Sequence, residues 1–241
     1  MRVAIVTGGS RGIGRAVATR LAGDGVAVVV GYESRKDEAE QCVKQIMGAG
    51  GTAVAIAGDI ADHLTSVALF DAAEAEFGGC DILVHAAAVM MPPAPLAEID
   101  LAALEQVHKV NVLGSFAILK EAAARIRDGG AIITLSSSVI GLALPGYGGY
   151  ASSKAAVESL NMILARELRG RDITVNSVAP GATATELFFE GKTASEVEAH
   201  TQRSPLERLG KPEDIAELVA KLCESTCWVN GQTVRANGGT V

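Results

Sequence analysis

The sequence is short of the features that mark cross-linked, nucleic-acid-binding or membrane proteins. Its 241 residues hold four cysteines, Cys42, Cys80, Cys223 and Cys227, too few and too scattered for a disulfide framework, so a reducing compartment is expected. Cys223 and Cys227 are spaced as metal ligands can be, but no second pair of Cys or His stands near them, and two thiols without a metal are expected. Lys and Arg number 21 against 28 Asp and Glu, a net charge of −7, and no basic cluster is present to neutralise a phosphate backbone; a nucleic-acid partner is not expected. No apolar run approaches the ~20 residues of a membrane span, and the first residues read as a strand rather than a basic, apolar leader. The expectation is a soluble, cytoplasmic protein. Linkers, low-complexity segments and short-period repeats are also missing, so residues 1–241 are read as one domain.

What is present is aliphatic and periodic. With 49% hydrophobic and 20% charged residues, a chain of this length can bury a full core. Strand-like runs at Arg2–Thr7, Val26–Val30, Thr52–Ala57, Ile82–His85, Ala131–Ser136, Ile173–Val178 and Thr233–Ala236 alternate with helical patterns. Continuous apolar runs such as Val28-Val29-Val30 suit parallel strands covered on both faces, and the intervening helices supply right-handed crossovers. The pattern predicts an α/β fold: a doubly wound parallel sheet of about seven strands with helices on both faces. The irregular stretch is 182–210, which holds Leu187-Phe188-Phe189 and reads as a lid over a substrate pocket, with helical core packing as the alternative.

Two local patterns carry chemistry. The first strand runs directly into Gly8-Gly9-Ser10-Arg11-Gly12-Ile13-Gly14, and a helix follows, with Ile13, Val17 and Leu21 at i, i+4 and i+8. Glycines permit close backbone approach, and the helix start offers free N–H groups and a positive dipole end to a pyrophosphate. Further along, Tyr150 and Lys154 lie four residues apart and therefore on one helix face. An ammonium near a phenol favours the phenolate, so Lys154 is expected to draw the Tyr150 pKa from ~10 toward neutrality, where proton exchange with a carbonyl oxygen is effective.

With these residues in place, the chain resembles the short-chain dehydrogenase/reductase family, of the single-domain type that includes 3-oxoacyl-carrier-protein reductases. Thr7-Gly8-x3-Gly12-Ile13-Gly14 is similar to that family's cofactor loop, Asn111 in Val110-Asn111-Val112 to its active-site asparagine, Tyr150-x3-Lys154 with an upstream serine to its catalytic core, and Pro180-Gly181 to its nicotinamide-side motif. The resemblance implies a Rossmann-like fold and an oxidoreductase moving hydride between nicotinamide and a small-molecule carbonyl or secondary alcohol, 3-oxoacyl thioesters among the candidates. It implies Tyr150 as the proton donor, Lys154 on the nicotinamide ribose, a serine on the reacting oxygen, and Asn111 holding a water that links Lys154 to solvent. Ser138 is the expected serine, from the following Val139-Ile140-Gly141; its twelve-residue step to Tyr150 is one shorter than in many members, which keeps Ser137 open. The cofactor site would further take Ser10, Arg11, Tyr32, Ser34, Arg35, Asp59, Ile60, Ala86, Ala87, Thr183 and Thr185. Asp59 would accept from the adenine amino group, with a helix N-cap as its alternative role. A homo-oligomer, tetramer or dimer, is implied through the helices after strands four and five and through the last strand.

Cofactor choice can be read at the end of strand two. NAD-selective sites place a carboxylate there, whereas Gly31 takes that position here, and Arg11 with Ser34-Arg35 suits a phosphate dianion. NADP(H) is expected, with NAD(H) open because Glu33 lies close by. The sharpest departure from the family is His85-Ala86-Ala87-Ala88 in place of Asn-Asn-Ala-Gly. His85 is read as a structural rather than a catalytic histidine, and Ala88 requires backbone that tolerates a Cβ. Two other classes are kept in view, a catalytically silent NAD(P)-binding regulator and a structural subunit; the intact Asn111, serine, Tyr150 and Lys154 set argues against the first.

Overall fold

The computed structural model describes all 241 residues. In chain order it runs β1 (Val3–Thr7), α1 (Gly12–Gly23), β2 (Ala27–Tyr32), α2 (Lys36–Gly48), β3 (Ala53–Ala57), α3 (His63–Phe77), β4 (Cys80–His85) and α4 (Leu101–His108). A π-helical turn over Lys109–Leu113 leads into α5 (Gly114–Arg125), followed by β5 (Ile126–Leu135), α6 (Val139–Leu142), α7 (Gly148–Glu167) and β6 (Thr174–Pro180). The chain ends with α8 (Glu186–Phe189), α9 (Ala194–Arg203), α10 (Pro212–Leu222) and β7 (Thr233–Ala236).

The seven strands form one all-parallel sheet in the order β3-β2-β1-β4-β5-β6-β7. The chain builds outward from β1 to β3, returns, and builds the other way from β4, which puts the topological switch between β1 and β4, where α/β sheets bind ligands at the strands' carboxyl ends. The pleat explains the continuous apolar runs. Ala4, Val6, Val28, Val30, Val84 and Ile133 point to one face, against α1, α2 and α10; Val3, Ile5, Val29, Leu83 and Ile132 point to the other, against α3, α5 and α7. Each fully buried aliphatic side chain of this kind contributes ~1.5–3 kcal/mol. No helix is long and apolar enough to cross a membrane.

Two segments differ from the periodicity reading. β5 starts at Ile126 rather than Ala131, because the register shifts between Cys80↔Ile126 and Ile82↔Ala131; the polar bulge residues hid the early pairing. Residues 182–210 are not irregular. They hold α8, capped by Thr185 accepting from Phe188 N–H, and α9, which begins with a Thr193–Glu196 capping box. Neither helix buries a residue, so the core-packing alternative for Leu187-Phe188-Phe189 does not hold.

Candidate active site

The carboxyl ends of the strands open into a cleft of about 380 Å³ that runs from the end of β2 past the glycine loop to α8. All the cofactor-side residues expected from the sequence, from Gly8 to Thr185, line it. The loop is shaped for close approach. Gly8 has φ +64° and Gly12 φ +54°; a Cβ on Gly8 would lie 2.9 Å from the Ala87 nitrogen, and one on Gly14 would run into the Gly8 carbonyl. At the start of α1 the N-cap Arg11 makes no side-chain capping bond, and the first turn holds no acidic residue. These open N–H groups and the positive helix end fit a dinucleotide pyrophosphate. Asp59 is not a helix N-cap: its carboxylate accepts from Ala61 N–H at 2.9 Å, while Asp62 caps α3.

Tyr150, Lys154 and the serine run meet on the cleft floor. The phenol is pushed up to about 12 by burial, with the hydrogen bond from Ser137 pulling it down, and Lys154 is pushed down to about 8 by burial. The expectation that Lys154 draws the phenol toward neutrality therefore does not describe this state. Lys154 Nζ donates to the Leu135 carbonyl at 2.8 Å and stands 5.8 Å from the Tyr150 ring centroid, and desolvation outweighs its field. The three serines differ in their partners. Ser138 Oγ is buried, donates to the Ala179 carbonyl at 3.0 Å and accepts from Asn237 Nδ2 at 3.0 Å, so it ties β6 to the chain after β7. Ser136 donates to Glu158. Ser137 lines the cleft with Tyr150, and its hydroxyl lowers the proton affinity of the phenol.

Asn111 sits in the π-helical turn but does not line the cleft. Its amide clamps the Val89 backbone, accepting from N–H and donating to C=O, both at 2.9 Å, and donates to Ser153 Oγ at 3.1 Å. This makes the side chain a brace between the end of β4 and α7. His85 is buried and braces the other side. Thr7 Oγ1 accepts from Ala86 N–H at 3.1 Å and Ala87 N–H at 3.2 Å, so its own proton goes to His85 Nδ1 at 2.7 Å. That leaves Nε2–H to donate to Ser115 Oγ at 3.0 Å, and Ser115 donates to the Asn111 carbonyl at 2.6 Å. Burial, with the Lys154 charge nearby, pushes His85 down to about 3, so it is a neutral structural bolt. Ala88 has no positive φ, so its Cβ is tolerated.

The remaining wall is apolar: Val89, Met90, Leu142, Leu144, Leu187 and Phe188 face the cleft, with Tyr147. Met91, next to Met90, packs under the first turn of α7 at Gly149. Sequence reasoning missed Ser153, Asn237 and Glu186 and the bracing role of Thr7, whose partners are far away in the chain. Thr7, next to the glycine loop, was the one with a local signal.

Comparison with known proteins agrees with this geometry. Residues 8–241 match the family model described as enoyl-(acyl carrier protein) reductase. The chain is 45% identical over 250 residues to a short-chain type dehydrogenase/reductase of Picea abies, covering 100% of this chain and 92% of that protein. It is 42% identical over 254 residues to an NADPH-dependent aldehyde reductase-like protein, chloroplastic, of Arabidopsis thaliana, covering 100% and 94%. The structure of a short-chain dehydrogenase from Burkholderia cenocepacia J2315 in complex with NADP superposes with a TM-score of 0.92 at 34% identity, over 99% of this chain and 97% of that one. The fold and site define a single-domain nicotinamide-dependent oxidoreductase, and the chain belongs to the short-chain dehydrogenase/reductase family.

Proposed function

We propose that the protein is an NADP(H)-dependent carbonyl reductase, acting on an aldehyde or ketone and, in reverse, on the corresponding alcohol. The observation that carries this reading is the meeting of Tyr150, Ser137 and Lys154 on one cleft floor beside a glycine loop with an open helix N-terminus. NADP(H) is supported by Arg11 and Arg35 at the cleft end, by the absence of a side chain at Gly31, and by relatives that carry NADPH or NADP in their names. The nicotinamide supplies or takes up the hydride. Gly8 to Gly14 and the start of α1 would hold the pyrophosphate, Asp59 and Ile60 the adenine, and Pro180, Gly181, Thr183 and Thr185 the nicotinamide end.

The chain's own groups manage the proton. Ser137, in place of Ser138, holds the substrate oxygen, and Tyr150 transfers its phenolic proton to that oxygen as negative charge develops. With a phenol near 12, Tyr150 is protonated throughout the neutral range, the form carbonyl reduction needs. Lys154 binds the ribose, and Asn111 acts as a positioning residue by fixing the Val89 backbone against α7. The apolar wall fits an aliphatic or aromatic carbonyl compound; a 3-oxoacyl thioester is one member of that class. The test is Tyr150→Phe, assayed by NADPH oxidation over a panel of aldehydes and ketones. Carbonyl reduction should be lost with NADPH affinity within about twofold of wild type, because the ring stays and the acid goes. Near-normal turnover would sink the assignment.

A further inference from the structure

Arg11 and Arg35 come from different elements, the glycine loop and the turn before α2, and they converge on one acid that belongs to neither. Glu186, the first residue of α8, places Oε2 2.7 Å from Arg11 Nη1 and 4.0 Å from Arg35 Nη2. Arg35 has a second partner in Glu38 at 2.9 Å; no other carboxylate pairs with Arg11. All three side chains are solvent-accessible, with 40% of Arg11, 51% of Arg35 and 62% of Glu186 exposed, so the cluster contributes little to the fold. It lies on the wall of the cofactor cleft.

From this we infer that Glu186 is a specificity-determining residue, a carboxylate that holds the two arginines where a cofactor 2′-phosphate would otherwise bind. The inference rests on the reading of Arg11 and Arg35 as the phosphate-binding pair. One carboxylate oxygen shared between two guanidinium groups leaves most of their donors unused, and a phosphate dianion offers three oxygens to the same forks. A 2′-phosphate taken up by the same two guanidinium groups would compete with the Glu186 carboxylate for them and be repelled by it, so binding of NADP(H) breaks the Arg11–Glu186 pair, whereas NAD(H) leaves it intact. The cost falls on the phosphorylated cofactor alone. Glu186 also starts the helix that brings Leu187 and Phe188 to the cleft, so the exchange detaches that helix from the glycine loop when the phosphorylated cofactor enters.

The experiment is a calorimetric titration of NADPH and NADH into the full-length wild type, Glu186→Gln, and an Arg11→Gln/Arg35→Gln double variant. Glu186→Gln should bind NADPH about three- to tenfold more tightly, the scale of one exposed ion pair removed together with its repulsion, with NADH within about twofold of wild type. Unchanged or weaker NADPH binding overturns the inference. So does weaker NADH binding, which would make Glu186 a ribose ligand. The double variant separates this from the underlying reading: if it keeps the wild-type NADPH preference, the arginine assignment itself fails, whereas loss of preference beside an unresponsive Glu186→Gln defeats only the present inference.

Discussion

Ser137 and Ser138 are chemically identical neighbours with different partners. Ser138 spends both its proton and an acceptor site on Ala179 and Asn237, whereas Ser137 lines the cleft with Tyr150. Ser137→Ala should therefore lower kcat/KM about a hundredfold with the melting temperature nearly unchanged, since it removes a donor aimed at developing charge. Ser138→Ala should instead leave Asn237 short of a partner and cost ~1–3 kcal/mol of stability with a small kinetic effect. Steady-state kinetics and thermal melts on the pair test this, and equal kinetic losses would refute it. His85 gives a pH signature. Its folded pKa of about 3 lies below the ordinary 6.5, so below pH 6.5 the unfolded chain takes up a proton that the folded chain refuses. Its contribution is complete at neutral pH and is lost as pH falls from 6.5 toward 3, amounting to ~2 kcal/mol between pH 7 and pH 5. His85→Asn should shrink the drop in unfolding free energy over that interval by about this amount. An unchanged drop in denaturant titrations would show that His85 is not held neutral.

At the scale of elements, the site depends on how closely β1, the glycine loop and α1 approach the end of β4. Gly14 lies under the Gly8 carbonyl, and Gly8 lies against Ala86 and Ala87. Gly14→Ala forces the loop away from β4 and opens the cradle. It should weaken NADPH binding by at least about a hundredfold, read by titration, while circular dichroism keeps the αβ signature, because the strain is confined to one turn. Binding within a fewfold of wild type would mean that this loop does not hold the pyrophosphate. Residues 182–210 show the same dependence on elements. The two helices bury nothing in the core, and the segment is held by its caps, the Thr183↔Gly210 bridge, the buried Ser204 that donates to the Gly238 carbonyl, and the Glu186 contact. These are attachments of a kind that opens locally at low cost.

Across the whole molecule, large apolar side chains are exposed together on α5 and α7: Leu113 precedes and Phe116 lies on α5, and Met162 and Ile163 lie on α7, all about half exposed or more. Trp228, before β7, is fully exposed. Faces of this kind usually meet a partner. We expect light scattering to give the mass of a dimer or tetramer, and Phe116→Glu with Ile163→Glu to reduce it. A wild-type monomer at micromolar concentration would refute the expectation.

The number of strands, their parallel direction and the layers of helices were legible in the sequence because one physical cause, burial on both faces, repeats through the central strands β1, β2, β4, β5 and β6. The glycine loop and Tyr150-x3-Lys154 were legible because their geometry is local, within a turn or two of helix. Where β5 begins was not legible, since the bulge after Ile126 is defined by its pairing with β4 rather than by its own polar residues. The choice between Ser137 and Ser138 depends on Asn237 and Ala179, 99 and 41 residues away, which no alternation rule reaches. The upward push on the phenol's proton affinity likewise comes from burial, and Glu186 acquires its meaning only from being brought across 175 residues to Arg11. Local periodicity and turn chemistry are written along the chain; desolvation and the meeting of distant side chains exist only once it has folded.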